Sequence, residues 1–270
     1  MLAVVAVAVC LAGCGGAGQA DDRPSVATGF FPLAWAAERI GGPDVRVVNL
    51  TPAGAEPHDL ELSPRDVRAI RDASLVVFVG GGFQPALEDA VAASDGPSLD
   101  VLGAGADPHV WLDPNRFARI SRKIGVALGK PGAAAVLASE LQALDAELRS
   151  GLAHCTRRTI VTSHAAFGPL AERYHLKEVA LAGRSPEAEP SPKELERLIG
   201  DVRESGATTV FAEPLVSRRL AETVAREAGV DVAVLDPVEG LSQDRLDAGE
   251  DYVSVMRENL AALRKALGCR

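Results

Sequence analysis

The sequence predicts an α/β protein of two lobes, each a parallel sheet flanked by helices, and three observations carry that prediction. Short apolar runs alternate with amphipathic stretches from Ser25 onward, the runs fall into two sets, and a long leucine-striped helix separates the sets. Strands that alternate with helices need crossover connections, which lay the strands parallel and cover both sheet faces with helices.

The first set of strands reads Ser25–Thr28, Arg46–Leu50, Leu75–Val79 and Ser98–Val101. Phe31–Ile40 and Pro64–Asp72 between them carry apolar residues at helical spacing. After Gly129-Lys130-Pro131, a break and helix start, Leu137, Leu141, Leu144, Leu148 and Leu152 recur at steps of four and three, one continuous stripe on a helix from Gly132 to His154. At about 1.5 Å per residue such a helix reaches ~34 Å, enough to run along both lobes. The second set of strands reads Thr159–Thr162, Glu178–Leu181, Thr208–Ala212 and Val232–Leu235, with helices over Pro192–Ser205 and Ser217–Ala228 and a last one over Tyr252–Leu267. The expected organisation is a first lobe over 25–128, a connecting helix over 129–155 and a second lobe over 156–270. No internal sequence repeat is apparent.

With 270 residues, 47% of them hydrophobic, the chain can bury one large core or two moderate ones. A formal net charge of -9 argues against nucleic acid, which needs a concentrated basic face, and mildly attracts cations. The apolar run Leu2–Ala12 is too short for a permanent span, which takes ~20 residues, but suits the core of a signal peptide. It ends in Leu11-Ala12-Gly13-Cys14, which resembles the bacterial lipobox. Residues 1–13 are then a signal peptide, Cys14 the lipidated terminus of an extracytoplasmic protein anchored to the outer face of the cell membrane, and 14–24 a flexible tether. No Lys or Arg precedes the run, so the true start codon is expected upstream of Met1. Export leaves Cys155 and Cys269, a candidate disulfide in an oxidising compartment, the alternative being two separate thiols.

The chain has five histidines. His58 follows the strand ending near Leu50, His164 comes two residues after Thr162, and Asp236 directly follows Leu235, places where a parallel sheet presents ligand groups. His109 lies in a loop whose Pro108 and Pro114 restrict the backbone. Imidazoles plus a carboxylate are the donor set of a borderline divalent ion such as zinc, so one metal site assembled from distant segments is expected. A lone loop histidine is usually solvated, and it is the shared setting that singles out these segments. His154 and His175 lack that setting and read as surface residues. Gly80-Gly81-Gly82 lacks the lysine of a P-loop and reads as a tight turn, and Trp111 is expected to pack against the metal loop.

Gly54-Ala55-Glu56-Pro57-His58-Asp59-Leu60-Glu61, His109-Val110-Trp111-Leu112-Asp113-Pro114 and Thr162-Ser163-His164-Ala165-Ala166-Phe167, in that order, resemble the zinc/manganese class of substrate-binding proteins of ABC transporters, in its zinc-binding branch. The segment Asp251–Leu260 resembles that family's last helix. The resemblance implies two α/β lobes joined by a rigid helix, a metal in the cleft between them, and delivery of that ion to the membrane subunit of an ABC permease by a monomeric receptor that performs no catalysis. It assigns His58 and His109 from the first lobe and His164 and Asp236 from the second.

Manganese-preferring relatives place Glu where this chain has His164, and three imidazoles favour zinc on ligand softness. A manganese receptor or adhesin-like protein on the same fold is the alternative, and a zinc hydrolase a more distant one, since that needs an open position for water and no His-Glu-x-x-His pattern is present. Two features depart from zinc-type relatives. The His-rich acidic loop that many insert before the second ligand is absent, since Gly103-Ala104-Gly105-Ala106 runs straight to Asp107, and Pro57 stands where some carry a Glu. Asp236 is therefore the expected fourth ligand, with Glu213, Glu56 or a water as competitors; Glu213 could equally orient a histidine.

Overall fold

The computed structural model describes residues 22–103, 106–184 and 190–270. The first lobe runs β1 (Ser25–Thr28), α1 (Phe31–Gly41), β2 (Arg46–Asn49), α2 (Pro64–Asp72), β3 (Leu75–Phe78), α3 (Pro85–Ala92), β4 (Ser98–Asp100) and α4 (Pro114–Ala127). After α5 (Pro131–Leu152) the second continues as β5 (Thr159–Thr162), α6 (Gly168–Tyr174), β6 (Lys177–Ala180), α7 (Pro192–Ser205), β7 (Thr209–Ala212), α8 (Arg219–Ala228), β8 (Asp231–Val234), α9 (Gln243–Asp247) and α10 (Tyr252–Leu267).

Each lobe holds a four-stranded parallel sheet, ordered β2-β1-β3-β4 in the first and β6-β5-β7-β8 in the second. The two orders are the same topology, although the sequences of the halves show no repeat. The central strands β1, β3, β5 and β7 are almost wholly buried, whereas the edge strands are half-exposed, as expected of parallel sheets covered by helices on both faces. Helix starts are written locally: Ser63 with Asp66 and Ser191 with Glu194 form capping boxes, each followed by proline at the first helical position.

Helix α5 packs on α1 and α4 of the first lobe and on α6 and α10 of the second. Its buried stripe, Leu137, Leu141, Leu144, Leu148 and Leu152, belongs to one apolar cluster that takes in Val26 and Phe117 on one side and Ile160, Phe211 and Leu263 on the other. Asp145 interrupts the stripe, and its carboxylate accepts hydrogen bonds from Arg173 (2.8 and 2.7 Å) and Tyr174 (3.2 Å), pinning α5 to α6. The α4–α5 turn needs glycine twice. Gly129 takes φ 65° while the Lys130 N–H reaches the Gly125 carbonyl at 2.7 Å, closing the helix end. At Gly125 itself a Cβ would lie 2.2 Å from that of Ala134, so the two helices meet backbone to backbone.

Helices α3, α4, α6 and α9 were not among the sequence expectations, and α4 packs along α5. Cys155 and Cys269 are disulfide-bonded, with Cα atoms 3.8 Å apart, and join the end of α10 to the segment after α5. The expected signal peptide, lipidated Cys14 and the tether up to residue 21 lie outside the described residues. No helix among the described residues is long and apolar enough to cross a membrane.

Candidate metal centre

Loops beyond the carboxyl ends of the strands of both sheets supply the site. His58 comes from the loop after β2, His109 from the loop between β4 and a short 3-10 turn at Val110–Leu112, and His164 from the turn two residues past β5. A fourth group arrives from the loop between β8 and α9, and it is Glu239. One potential ligand atom from each of these four residues, an imidazole nitrogen or a carboxylate oxygen, lies within 4.8 Å of the other three. Glu239 Oε1 stands 3.6 Å from His58 Nε2, 3.3 Å from His109 Nε2 and 3.5 Å from His164 Nε2. Ligand atoms bonded to one tetrahedral zinc at about 2.0–2.1 Å sit about 3.3 Å apart, so the spacing around Glu239 is that of a zinc polyhedron.

The four groups are buried, and none of the three Nε2 atoms or the two Glu239 oxygens has a hydrogen-bond partner in the protein. Buried polar atoms are normally paired, and each orphan costs about 1–3 kcal/mol. Five orphans converging on one point describe a cavity built for a cation.

The opposite edge of two of the rings is held by a carboxylate. His109 Nδ1 lies 2.9 Å from Asp107 Oδ1 and His164 Nδ1 lies 2.7 Å from Glu213 Oε2. The same carboxylates accept the backbone N–H of their histidine, at 3.0 and 3.1 Å, and Glu56 accepts that of His58 at 3.1 Å. With Nδ1–H donated outward, the Nε2 lone pair faces the cavity, and the carboxylate makes it a stronger donor.

Protons stand in for the metal in this electrostatic arrangement. Burial disfavours a charged His164, yet its hydrogen bond to Glu213 and the nearby Glu239 carboxylate prevail and carry its pKa up to about 10. His109 is likewise raised, against burial, by Asp107 and Glu239. Burial would raise Glu239, but the three histidines hold its carboxyl well below the usual range. Glu56 is pushed up to about 8, by burial first and then by the Glu239 charge. Glu213 is raised by burial, which its contact with His164 only partly offsets.

Aromatic rings wall the first-lobe side. Phe83 packs edge-on against His58 at 4.5 Å between ring centroids, and Trp111 lies 5.3 Å from His109 and 4.6 Å from Phe30. Gln84, buried at the start of α3, donates to the Pro57 carbonyl (3.1 Å), Thr51 Oγ1 (3.0 Å) and the Gly29 carbonyl (3.2 Å), tying the His58 loop to the ends of β1 and β2. Trp111 bolts the lobes together: its indole N–H donates to the Pro237 carbonyl at 2.7 Å and its own carbonyl accepts from the Tyr252 hydroxyl at 2.5 Å. The Gly54 N–H reaches the Leu241 carbonyl at 2.9 Å, joining the His58 loop to the Glu239 loop.

The structure thus brings together the three histidines singled out in the sequence, but not Asp236. That carboxylate is turned away from the histidines, with Oδ2 2.6 Å from Arg245 Nη1 and Oδ1 accepting the Val238 N–H at 2.7 Å. Glu213 and Glu56, the competing candidates, contact histidines on the side away from the cavity. Glu239 was missed because the strand-end rule favours the first carboxylate after the strand, whereas here the chain makes one further turn before presenting its ligand. The signal available was a second carboxylate three residues on, next to Gly240. His154 and His175 are exposed, as expected of surface residues.

Comparison with known proteins agrees with this geometry. The chain is 32% identical over 289 aligned residues to the zinc-binding protein AdcA of Streptococcus pyogenes serotype M1, covering 91% of this chain but 56% of that protein's length. Among solved structures, the laminin-binding protein Lmb of Streptococcus agalactiae, described as a bifunctional protein with adhesin and metal-transporting activity, superposes with a TM-score of 0.82 at 29% identity over 90% of this chain and 99% of its own. The zinc(II)-bound ZnuA-like domain of Streptococcus pneumoniae AdcA gives 0.77 at 33% identity, over 91% of this chain and 99% of that domain. Residues 26–266 match the family model for ZnuA, the periplasmic component A of the zinc-uptake complex, and the chain belongs to that family.

Proposed function

We propose that the protein is an extracytoplasmic zinc receptor that captures one ion between its lobes, through His58, His109, His164 and Glu239, and hands it to the membrane subunit of an ABC permease. The observation that carries this reading is the convergence of three buried imidazole nitrogens and one buried carboxylate, all without protein partners. Three nitrogens and one oxygen are a better match to zinc than to manganese, which favours oxygen donors. Four protein ligands also fill a tetrahedral shell and leave no place for the water that a hydrolase would activate. The chain then acts by affinity and presentation alone. Cys14 would carry the lipid that holds it at the membrane surface, as the multi-chain anchor of a lipoprotein.

The interlobe contacts of Trp111 and Gly54, and α5 itself, favour release by small adjustments of the site loops over wide hinge opening. Metal analysis after equilibration with zinc and manganese at equal free concentrations tests the reading. One zinc per chain is expected, and preferential retention of manganese, or no stoichiometric metal, would defeat it.

A further inference from the structure

Glu239 does not reach the cavity by following the strand, and the way it gets there assigns a role to the residue that sequence reasoning had placed on the metal. We propose that Asp236 is a positioning residue: its carboxylate holds Val238 in the left-handed backbone conformation that aims Glu239 at the three histidines. The inference rests on the reading of Glu239 as a ligand.

Val238 has φ 58°. A β-branched side chain is strongly disfavoured there, and a buried one persists only where its surroundings over-determine it. Among the described residues one other non-glycine shares a positive φ, His175, which is exposed and ends a helix in an ordinary way. Val238 is wholly buried in the main apolar cluster. Its side chain is therefore wanted in the core while its backbone must turn the other way, and that conflict needs a clamp.

Asp236 supplies the clamp. Oδ1 accepts the N–H of Val238, two residues on, at 2.7 Å, the Asx-turn in which a side chain replaces a backbone acceptor. Oδ2 is held at 2.6 Å by Arg245, whose guanidinium is fixed in turn by Glu250 (2.6 Å) and Glu258 (2.8 Å). Asn259 grips the Asp236 backbone on both sides, accepting its N–H at 2.8 Å and donating to its carbonyl at 2.7 Å. The Pro237 carbonyl is taken by Trp111. Each of these groups is anchored, and the next carboxylate along, Glu239, is the one whose two oxygens have no partner. The turn behaves as a preset mount, with its strain held by Asp236 rather than relieved by glycine.

Zinc affinity by chelator competition, with the d–d spectrum of the cobalt(II)-loaded protein as a reporter of four-coordinate geometry, tests this on four variants. Glu239→Ala checks the underlying ligand reading: if it binds zinc as tightly as wild type, that reading fails irrespective of Asp236. With Glu239→Ala weakened, Asp236→Ala is expected to lose about 10–100-fold in affinity, the usual cost of losing a group that orients a ligand, together with cobalt band intensity. Asp236→Asn keeps an acceptor for the Val238 N–H but sets its amide NH2 against the Arg245 guanidinium, so its affinity is expected to fall between wild type and Asp236→Ala, at least about threefold tighter than the latter. Adding Val238→Gly to Asp236→Ala is expected to restore at least about tenfold, because glycine adopts the left-handed conformation without penalty.

Wild-type affinity in Asp236→Ala, equal losses in Asp236→Asn and Asp236→Ala, or a double variant no better than Asp236→Ala would each overturn the inference. Should Asp236→Ala fail to fold by circular dichroism, Asp236→Asn and the double variant decide. Both are expected to give the four-coordinate cobalt spectrum, and a folded double variant without it overturns the proposal.

Discussion

Glu213→Gln separates two effects that the carboxylate exerts on His164. In wild type the Glu213 contact at 2.7 Å is the leading cause that raises His164, to about 10, against the opposing effect of burial. Below that pKa the imidazole carries a proton on the nitrogen that must bind metal, so zinc displaces a proton and affinity falls as pH falls. One displaced proton makes the dissociation constant rise tenfold per pH unit, about 100-fold from pH 8 to pH 6, or about 2.7 kcal/mol. His109, also raised, adds to that slope. Replacing Glu213 by the neutral amide leaves one acceptor, for Nδ1–H, takes away that of the His164 backbone N–H, and removes the charge. The His164 pKa then drops towards the free-imidazole range and the pH dependence flattens, by about tenfold in the ratio of affinities at pH 8 and pH 6. Absolute affinity at pH 8 still weakens by about 10–100-fold, because the imidazole is a poorer donor. Competition titrations against a chromophoric chelator, corrected for the chelator's own protonation, read both quantities. Parallel pH profiles for wild type and variant, or a wild-type affinity that does not change between pH 6 and pH 8, would refute the reasoning.

The same shift predicts the stability of the metal-free protein. A histidine raised from 6.5 to about 10 contributes stability that is fully present below pH 6.5 and lost as pH rises towards 10, so the metal-free thermal midpoint should fall over that window while the zinc-loaded one falls less; calorimetry at fixed ionic strength checks it. Cys155→Ser with Cys269→Ser opens a loop of 114 residues, which the chain-entropy model values at about 5 kcal/mol, and should lower the thermal midpoint while leaving zinc affinity unchanged, since the bond lies away from the ligands. Trp111→Phe leaves the Pro237 carbonyl without its donor, at a cost of about 1–3 kcal/mol, and should speed zinc release in stopped-flow chelation; unchanged release would show that this bolt does not hold the Glu239 loop. Gly125→Ala should destabilise by about 1–3 kcal/mol in urea titrations, since its Cβ would meet that of Ala134 at 2.2 Å.

The fold was legible where one physical signal dominates. The buried central strands have apolar middles, such as Val26-Ala27, Ile160-Val161 and Val210-Phe211-Ala212, and the leucine stripe of α5 keeps its helical period because both lobes pack on it. The three histidines were legible because strand ends and proline-restricted loops are where ligands gather. Helix α4 was not, because a buried serine, Ser121, and a glycine, Gly125, interrupt its apolar face. The matching strand orders of the two lobes were hidden as well, since topology constrains chain path and burial rather than residue identity. Glu239 was illegible for a sharper reason. Its direction depends on a backbone turn at Val238 that no local propensity favours and that side chains distant in sequence, Arg245 and Asn259, help to enforce.

The apolar cluster around α5 runs without a seam from the first sheet to the second. A chain built this way has no internal boundary at which melting can stop, so the two halves should unfold in a single cooperative transition, with calorimetric and van't Hoff enthalpies in agreement. Each half carries two of the four ligands, and a half released alone would expose the leucine stripe along with an incomplete shell. On the proposed function, zinc carriage is then an all-or-none property of the intact molecule, and separating the lobes by proteolysis is expected to discharge the ion rather than leave a weaker carrier behind.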